Sequence, residues 1–136
     1  MRLDPYLSFD GNCAEAFAFY AQCFNARVSF AMTYGQSPMA GQTAPEYRDK
    51  IMHTRIDVGG VQLMGSDAPP GYYKRPAGSM ISVGTDDPAE ADRIFGMLAE
   101  GGQVTMPIAE TFWARRFGMV TDRFGTPWMV NCEKSA

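Results

Sequence analysis

Apolar and polar positions follow two rhythms along this chain, and the rhythms occur twice in the same order. Ala16, Phe19, Tyr20 and Cys23 stand at i, i+3, i+4 and i+7, and Ala91, Ile94, Phe95 and Leu98 repeat that spacing 75 residues later. Such a stripe predicts an amphipathic helix with one face for burial. Around the helices lie short segments of strand character: Pro5 to Phe9, Val28 to Thr33, Ile51 to Val58 and Val61 to Ser66, then Ser79 to Gly84, Gln103 to Met106, Arg116 to Asp122 and Pro127 to Cys132. In the third segment Met52, Thr54, Ile56 and Val58 alternate with His53, Arg55 and Asp57, so one face suits a helix and the other looks away. Each half reads β-α-β-β-β. The expected fold is α+β, a single domain of two tandem modules, about 4–67 and 78–133, with one long sheet and helices on its outer face.

Local punctuation supports the repeat. Asn12-Cys13-Ala14-Glu15-Ala16 corresponds to Asp87-Pro88-Ala89-Glu90-Ala91, and each segment reads as an N-cap with an acidic residue three positions on. Pro88 takes the first helical position, which needs no N–H. Asn25 and Gly101-Gly102 suit the left-handed residue that ends a helix. Asp57 to Met64 corresponds to Asp122 to Met129, 65 residues later, and Gly59-Gly60 predicts a hairpin. Tyr34 to Lys50 and Ala68 to Gly78 are rich in Gly and Pro; they suit lids or plain solvated connectors.

Composition narrows the partners. A net charge of -3 and a pI near 5.0 argue against a nucleic-acid backbone as ligand. No apolar run approaches the roughly 20 residues that span a bilayer, and Met1-Arg2-Leu3-Asp4-Pro5 does not open like a secretory signal, so a soluble, cytoplasmic protein is expected. Cys13, Cys23 and Cys132 lack paired spacing and read as small buried hydrophobes.

Tyr6-Leu7-Ser8-Phe9-Asp10-Gly11-Asn12-Cys13-Ala14-Glu15-Ala16, Gly65-Ser66-Asp67, Thr111-Phe112-Trp113 and Phe117 to Gly125 resemble the PhnB-like branch of the glyoxalase and bleomycin-resistance, or vicinal oxygen chelate, superfamily. The resemblance implies a cup-shaped sheet and commonly a homodimer. It also implies a divalent metal held by His, Glu or Gln from the first and last strands of each module. The last-strand positions fall at Met64 and Met129, and thioethers suit hard divalent ions poorly. The first-strand positions fall at Gly78 or Ser79 and between Asp4 and Tyr6, where Asp4 is the one carboxylate. The expectation is a protein without the usual metal site and without a cofactor, binding a small organic ligand. The alternatives are a metal-dependent lyase, isomerase or dioxygenase using one divalent ion with Asp4 and His53, and a drug-sequestering binder. A methyltransferase is not expected, because no glycine-rich adenosylmethionine loop is present.

His53 is the single histidine. On the polar face of its strand it suits a structural hydrogen bond, a catalytic acid-base or substrate contact, or metal ligation. Tyr6, Met64, Met80 and Met129 suit an adaptable apolar pocket floor or plain core. Arg55 beside His53 is a further ligand contact. Trp113, near Arg115 and Arg116, suits a pocket rim or a dimer contact. Asp67 reads as a ligand contact or a loop cap.

Overall fold

A computed structural model describes residues 1–134. The elements are β1 (Tyr6–Phe9), α1 (Cys13–Cys23), β2 (Val28–Thr33), β3 (Ile51–Val58), β4 (Val61–Asp67), β5 (Ile81–Gly84), α2 (Pro88–Ala99), β6 (Gln103–Ala109), β7 (Ala114–Thr121) and β8 (Pro127–Glu133). This is the expected α+β order of two βαβββ modules. The strands form two four-stranded sheets, β1-β4-β3-β2 and β5-β8-β7-β6, in place of the one long sheet expected from alternation. The chain divides into two compact units, Met1–Lys74 and the remainder from Arg75. In each sheet the first strand runs parallel to its neighbour and the other pairs are antiparallel.

In unit 1, Phe9, Ile56 and Leu63 of the sheet are buried together with Cys13, Ala16, Phe17, Tyr20 and Cys23 of α1. Ala16, Tyr20 and Cys23 are buried as the spacing predicts, but Phe17 takes the buried place expected of Phe19, which lies at the margin. The cause is Gly65: a Cβ there would come within 2.5 Å of the Phe17 ring, so the missing side chain makes the seat for the aromatic. In unit 2, Ala91, Ile94, Phe95 and Leu98 are buried as the periodicity predicts, and Trp128, Val130 and Val120 face them. Phe95 sits against Gly118, where a Cβ would meet its ring at 2.7 Å.

The two helices start differently. At α2 the Asp87 carboxylate accepts from Ala89 N at 3.0 Å, and Pro88 occupies the first turn, as expected. At α1 the Asn12 side chain makes no cap bond. Asp67 at the end of β4 does that work: its Oδ1 accepts from Gly11 N at 2.8 Å and Cys13 N at 3.0 Å, and its Oδ2 accepts from Ile51 N at 2.8 Å. A carboxylate satisfies these three amides, two buried and one half-buried, more strongly than a neutral Asn could.

The Tyr34–Lys50 segment is largely exposed, yet it is anchored at its base and through two tyrosines. Tyr34 N donates to Lys50 O and Gly35 N to Arg48 O, closing its base. Tyr34 is buried and donates its hydroxyl to Asp67 O, and Tyr47 donates to Ala68 O. Gly59 and Gly60 adopt φ of 54° and 83° in the β3–β4 turn, and Asn25 takes φ 52° after α1, as the sequence requires. All three cysteines are buried, and burial pushes the Cys13 thiol far above its ordinary value. No described helix is long and apolar enough to cross a membrane.

Candidate functional site

Each sheet has a helix-covered face and an open one. In unit 1 the open face is fixed by register: Tyr6 stands opposite Met64, Met64 opposite Arg55, and Arg55 opposite Phe30. Met32 stands opposite His53 on the same face. Cross-strand partners lie close enough for their side chains to touch. The alternate positions, Leu63, Thr54 and Ile56, turn toward α1.

Four of these side chains form a cluster. The Tyr6 hydroxyl lies 3.1 Å from His53 Nδ1, and the rings stack at 5.6 Å and 22°. Phe30 flanks the imidazole from β2 with its centroid 5.7 Å away. The Arg55 guanidinium lies over Phe30 at 5.8 Å, within cation–π range, and its Nε donates to Ser29 Oγ at 3.4 Å. Tyr6 remains 51 % exposed and Phe30 38 % exposed, while His53, Arg55 and Met64 are half-buried. The result is an imidazole and a guanidinium held between aromatic and thioether surfaces, with solvent access. Such a group can bind a planar molecule, donate hydrogen bonds and move a proton.

The structure thus brings His53, Tyr6, Arg55 and Met64 together and adds Phe30, which the sequence reading missed. The strand β2 shows no alternation of burial, so its own pattern gives no face; only pairing with the polar face of β3 assigns Phe30. Asp67 is elsewhere: it is 1 % exposed and its carboxylate is committed to backbone amides, so it is the internal cap and not an open-face contact.

In unit 2 the corresponding row is Ser82, Met129, Met119 and Met106. Met80 precedes β5 and is exposed. Trp113 is 44 % exposed and packs edge-on against Phe112 at 4.8 Å and Phe117 at 5.3 Å. The neighbouring guanidiniums serve the fold: Arg115 donates to Glu133 O and Asp86 O, and Arg116 pairs with Asp92 at 2.7 Å. Trp128 is core, with its indole N–H donating to Asp122 Oδ2 at 2.8 Å.

The register also relocates the first-strand positions. Tyr6 and Ser82 are the partners of Met64 and Met129, whereas Gly78 and Ser79 precede β5. Asp4 lies before β1 and accepts from Gln62 N and Arg2, and the bond from Arg2 holds its carboxyl below the usual range. Neither the phenol and thioether of unit 1 nor the hydroxyl and thioether of unit 2 fit a hard divalent ion that seeks carboxylate and imidazole donors. Among the described residues no group of three His, Cys, Asp or Glu side chains converges for metal binding.

Residues 1–131 match the family described as 3-demethylubiquinone-9 3-methyltransferase. Protein YjdN of Escherichia coli strain K12 is 37 % identical over 142 residues, covering 98 % of this chain and 97 % of YjdN. Protein PA1353 from Pseudomonas aeruginosa has the same fold with a TM-score of 0.91, at 48 % identity over 99 % of each chain. A PhnB protein from Bacillus cereus superposes with a TM-score of 0.79 at 21 % identity, over 97 % of this chain and 99 % of that one. The fosfomycin resistance protein FosX of Listeria monocytogenes shares the fold at a TM-score of 0.68 and 11 % identity, over 98 % and 94 % of the two chains. The match over residues 1–131 means that this chain belongs to that PhnB-like family, and its fold is the one shared by the Bacillus cereus PhnB protein and FosX.

Proposed function

We propose that the open face of the unit 1 sheet binds a small organic ligand against Tyr6, Phe30, His53 and Arg55, without a divalent metal. The observation that carries this reading is the Tyr6–His53 contact, a polar pair kept solvent-accessible between aromatic rings. A purely structural histidine gains little from being left half-open, and exposed Tyr6 and Phe30 rings are costly unless something covers them. The thioether at Met64, opposite Tyr6, supplies adaptable contact in place of a metal-binding carboxylate.

Methyl transfer is not part of the proposal, despite the family's description. The two strand-to-helix connections, Asp10-Gly11-Asn12 and Thr85-Asp86-Asp87, are not the glycine-rich turns that receive a nucleoside cofactor.

Thermal-shift screening of small organic molecules tests the reading, with wild type and His53→Ala side by side. A ligand at 100 times its dissociation constant adds about 2.7 kcal/mol of stability to wild type, and that gain should vanish in the variant. Hits that stabilise both proteins equally would remove this face as the site. Metal analysis of purified protein gives a second check: one divalent ion per chain, lost in Met64→Ala, would overturn the metal-free reading.

A further inference from the structure

The Tyr6–His53 pair specifies more than a place to bind. A neutral imidazole has one N–H and one bare nitrogen, and which is which depends on the partner of each. Tyr6 brings a hydroxyl to within 3.1 Å of Nδ1. A phenol O–H is a ready hydrogen-bond donor. When its O–H donates to Nδ1, the imidazole proton must reside on Nε2. Ring stacking at 22° and the flanking Phe30 ring hold the imidazole in that orientation.

We infer that Tyr6 is a positioning residue that holds His53 in its Nε2–H form, and that His53 Nε2–H and the Arg55 guanidinium together select a planar organic anion, a conjugated carboxylate or enolate. The inference rests on the ligand reading above and names the chemistry of its ligand. Both groups are donors, and they stand two residues apart on one face of β3, so they suit the oxygens at one end of a flat molecule. Phe30 and Met64, their cross-strand neighbours, suit its faces. Asp57 follows on the same strand, and its carboxylate acts on Arg2. A neutral N–H donor aimed at a developing oxyanion also polarises a carbonyl, which is the electrostatic work a metal would otherwise perform.

Because the chain has a single histidine, nitrogen NMR on protein labelled with 15N-histidine reports this one ring without ambiguity. At pH 8, wild type should show a protonated Nε2 and a bare Nδ1, and Tyr6→Phe, which keeps the ring and loses the hydroxyl, should show a mixture of the two forms. Benzoate should then shift the wild-type Nε2 signal, bind about tenfold more weakly to Tyr6→Phe and Arg55→Met, and outcompete neutral benzamide. A wild-type ring protonated on Nδ1, or a Tyr6→Phe ring identical to wild type, overturns the positioning role and leaves the ligand reading standing. Benzamide binding as tightly as benzoate overturns the choice of an anion. A correct tautomer with no response to benzoate overturns the ligand class while the positioning role survives. A wild-type ring protonated on Nδ1 overturns the positioning role even if a variant fails to fold.

Discussion

The two sheets share one lattice of strand positions and use it for different chemistry. Where unit 1 places Tyr6, Met64, Arg55 and Phe30 across its open face, unit 2 places Ser82, Met129, Met119 and Met106. Only the methionines at 64 and 129 correspond. The covered faces, by contrast, solve one packing problem by compensating changes. Each helix seats an aromatic ring on a glycine, but Gly65 lies in the last strand of its module and Gly118 in the third. The buried face is thus constrained as a sum of volumes, and the open face is constrained residue by residue by whatever it must contact. A duplicated architecture keeps its packing while its functional row diverges.

Spectroscopy can follow the two units apart, since all six tyrosines lie in unit 1 and both tryptophans in unit 2. The largest contrast concerns the helix caps. Asp67→Ala leaves two buried amides and one half-buried amide unpaired and should cost about 3–5 kcal/mol, whereas Asp87→Ala removes one exposed cap and should cost about 1 kcal/mol. Urea unfolding of both variants checks this, and equal losses would erase the distinction between a borrowed and a local cap. Next come the glycine seats. Gly65→Ala and Gly118→Ala should each destabilise by about 1–3 kcal/mol, because the added methyl meets Phe17 or Phe95 below van der Waals distance. Phe17→Leu should restore part of the first loss and none of the second.

The smallest effect is in alkali and belongs to unit 1. Burial, with the Asp67 carboxylate second, raises the Tyr34 hydroxyl and pushes that of Tyr47 up to about 12. A raised acid favours the folded state below its ordinary value and loses that contribution as pH climbs through the folded one. Stability from this pair should therefore be intact below pH ~10 and fall between there and about 12. Tyrosinate absorbance measured against pH reads it, and Tyr47→Phe should flatten the fall; an unchanged profile would free the Tyr34–Lys50 segment from its anchoring role.

How much of this was legible in the sequence depends on the range of the interaction. The stripe of α2, the cap at Asp87 and the Gly59-Gly60 turn are set by neighbours within a few residues, and local pattern suffices for them. In α1 the burial of Phe17 in place of Phe19 lies beyond local pattern, because Phe17 is seated by Gly65, 48 positions away in the chain. Asn12 looked like the cap because nothing local reveals Asp67. The site shows the same division: alternation in β3 puts His53 and Arg55 on one face, but Phe30 and the partnership of Ser82 with Met129 emerge only from register.

Asp67 also bears on the order in which the chain can mature. The amides it binds at the start of α1 lie 54 and 56 residues before it, while Asp87 reaches an amide only two residues on. A chain emerging from the ribosome presents α1 long before the anion that completes its first turn, and closing so long a loop carries an entropic cost that local contacts do not repay. The helix made second is the one that can be finished at once; the helix made first must wait for the end of its own module.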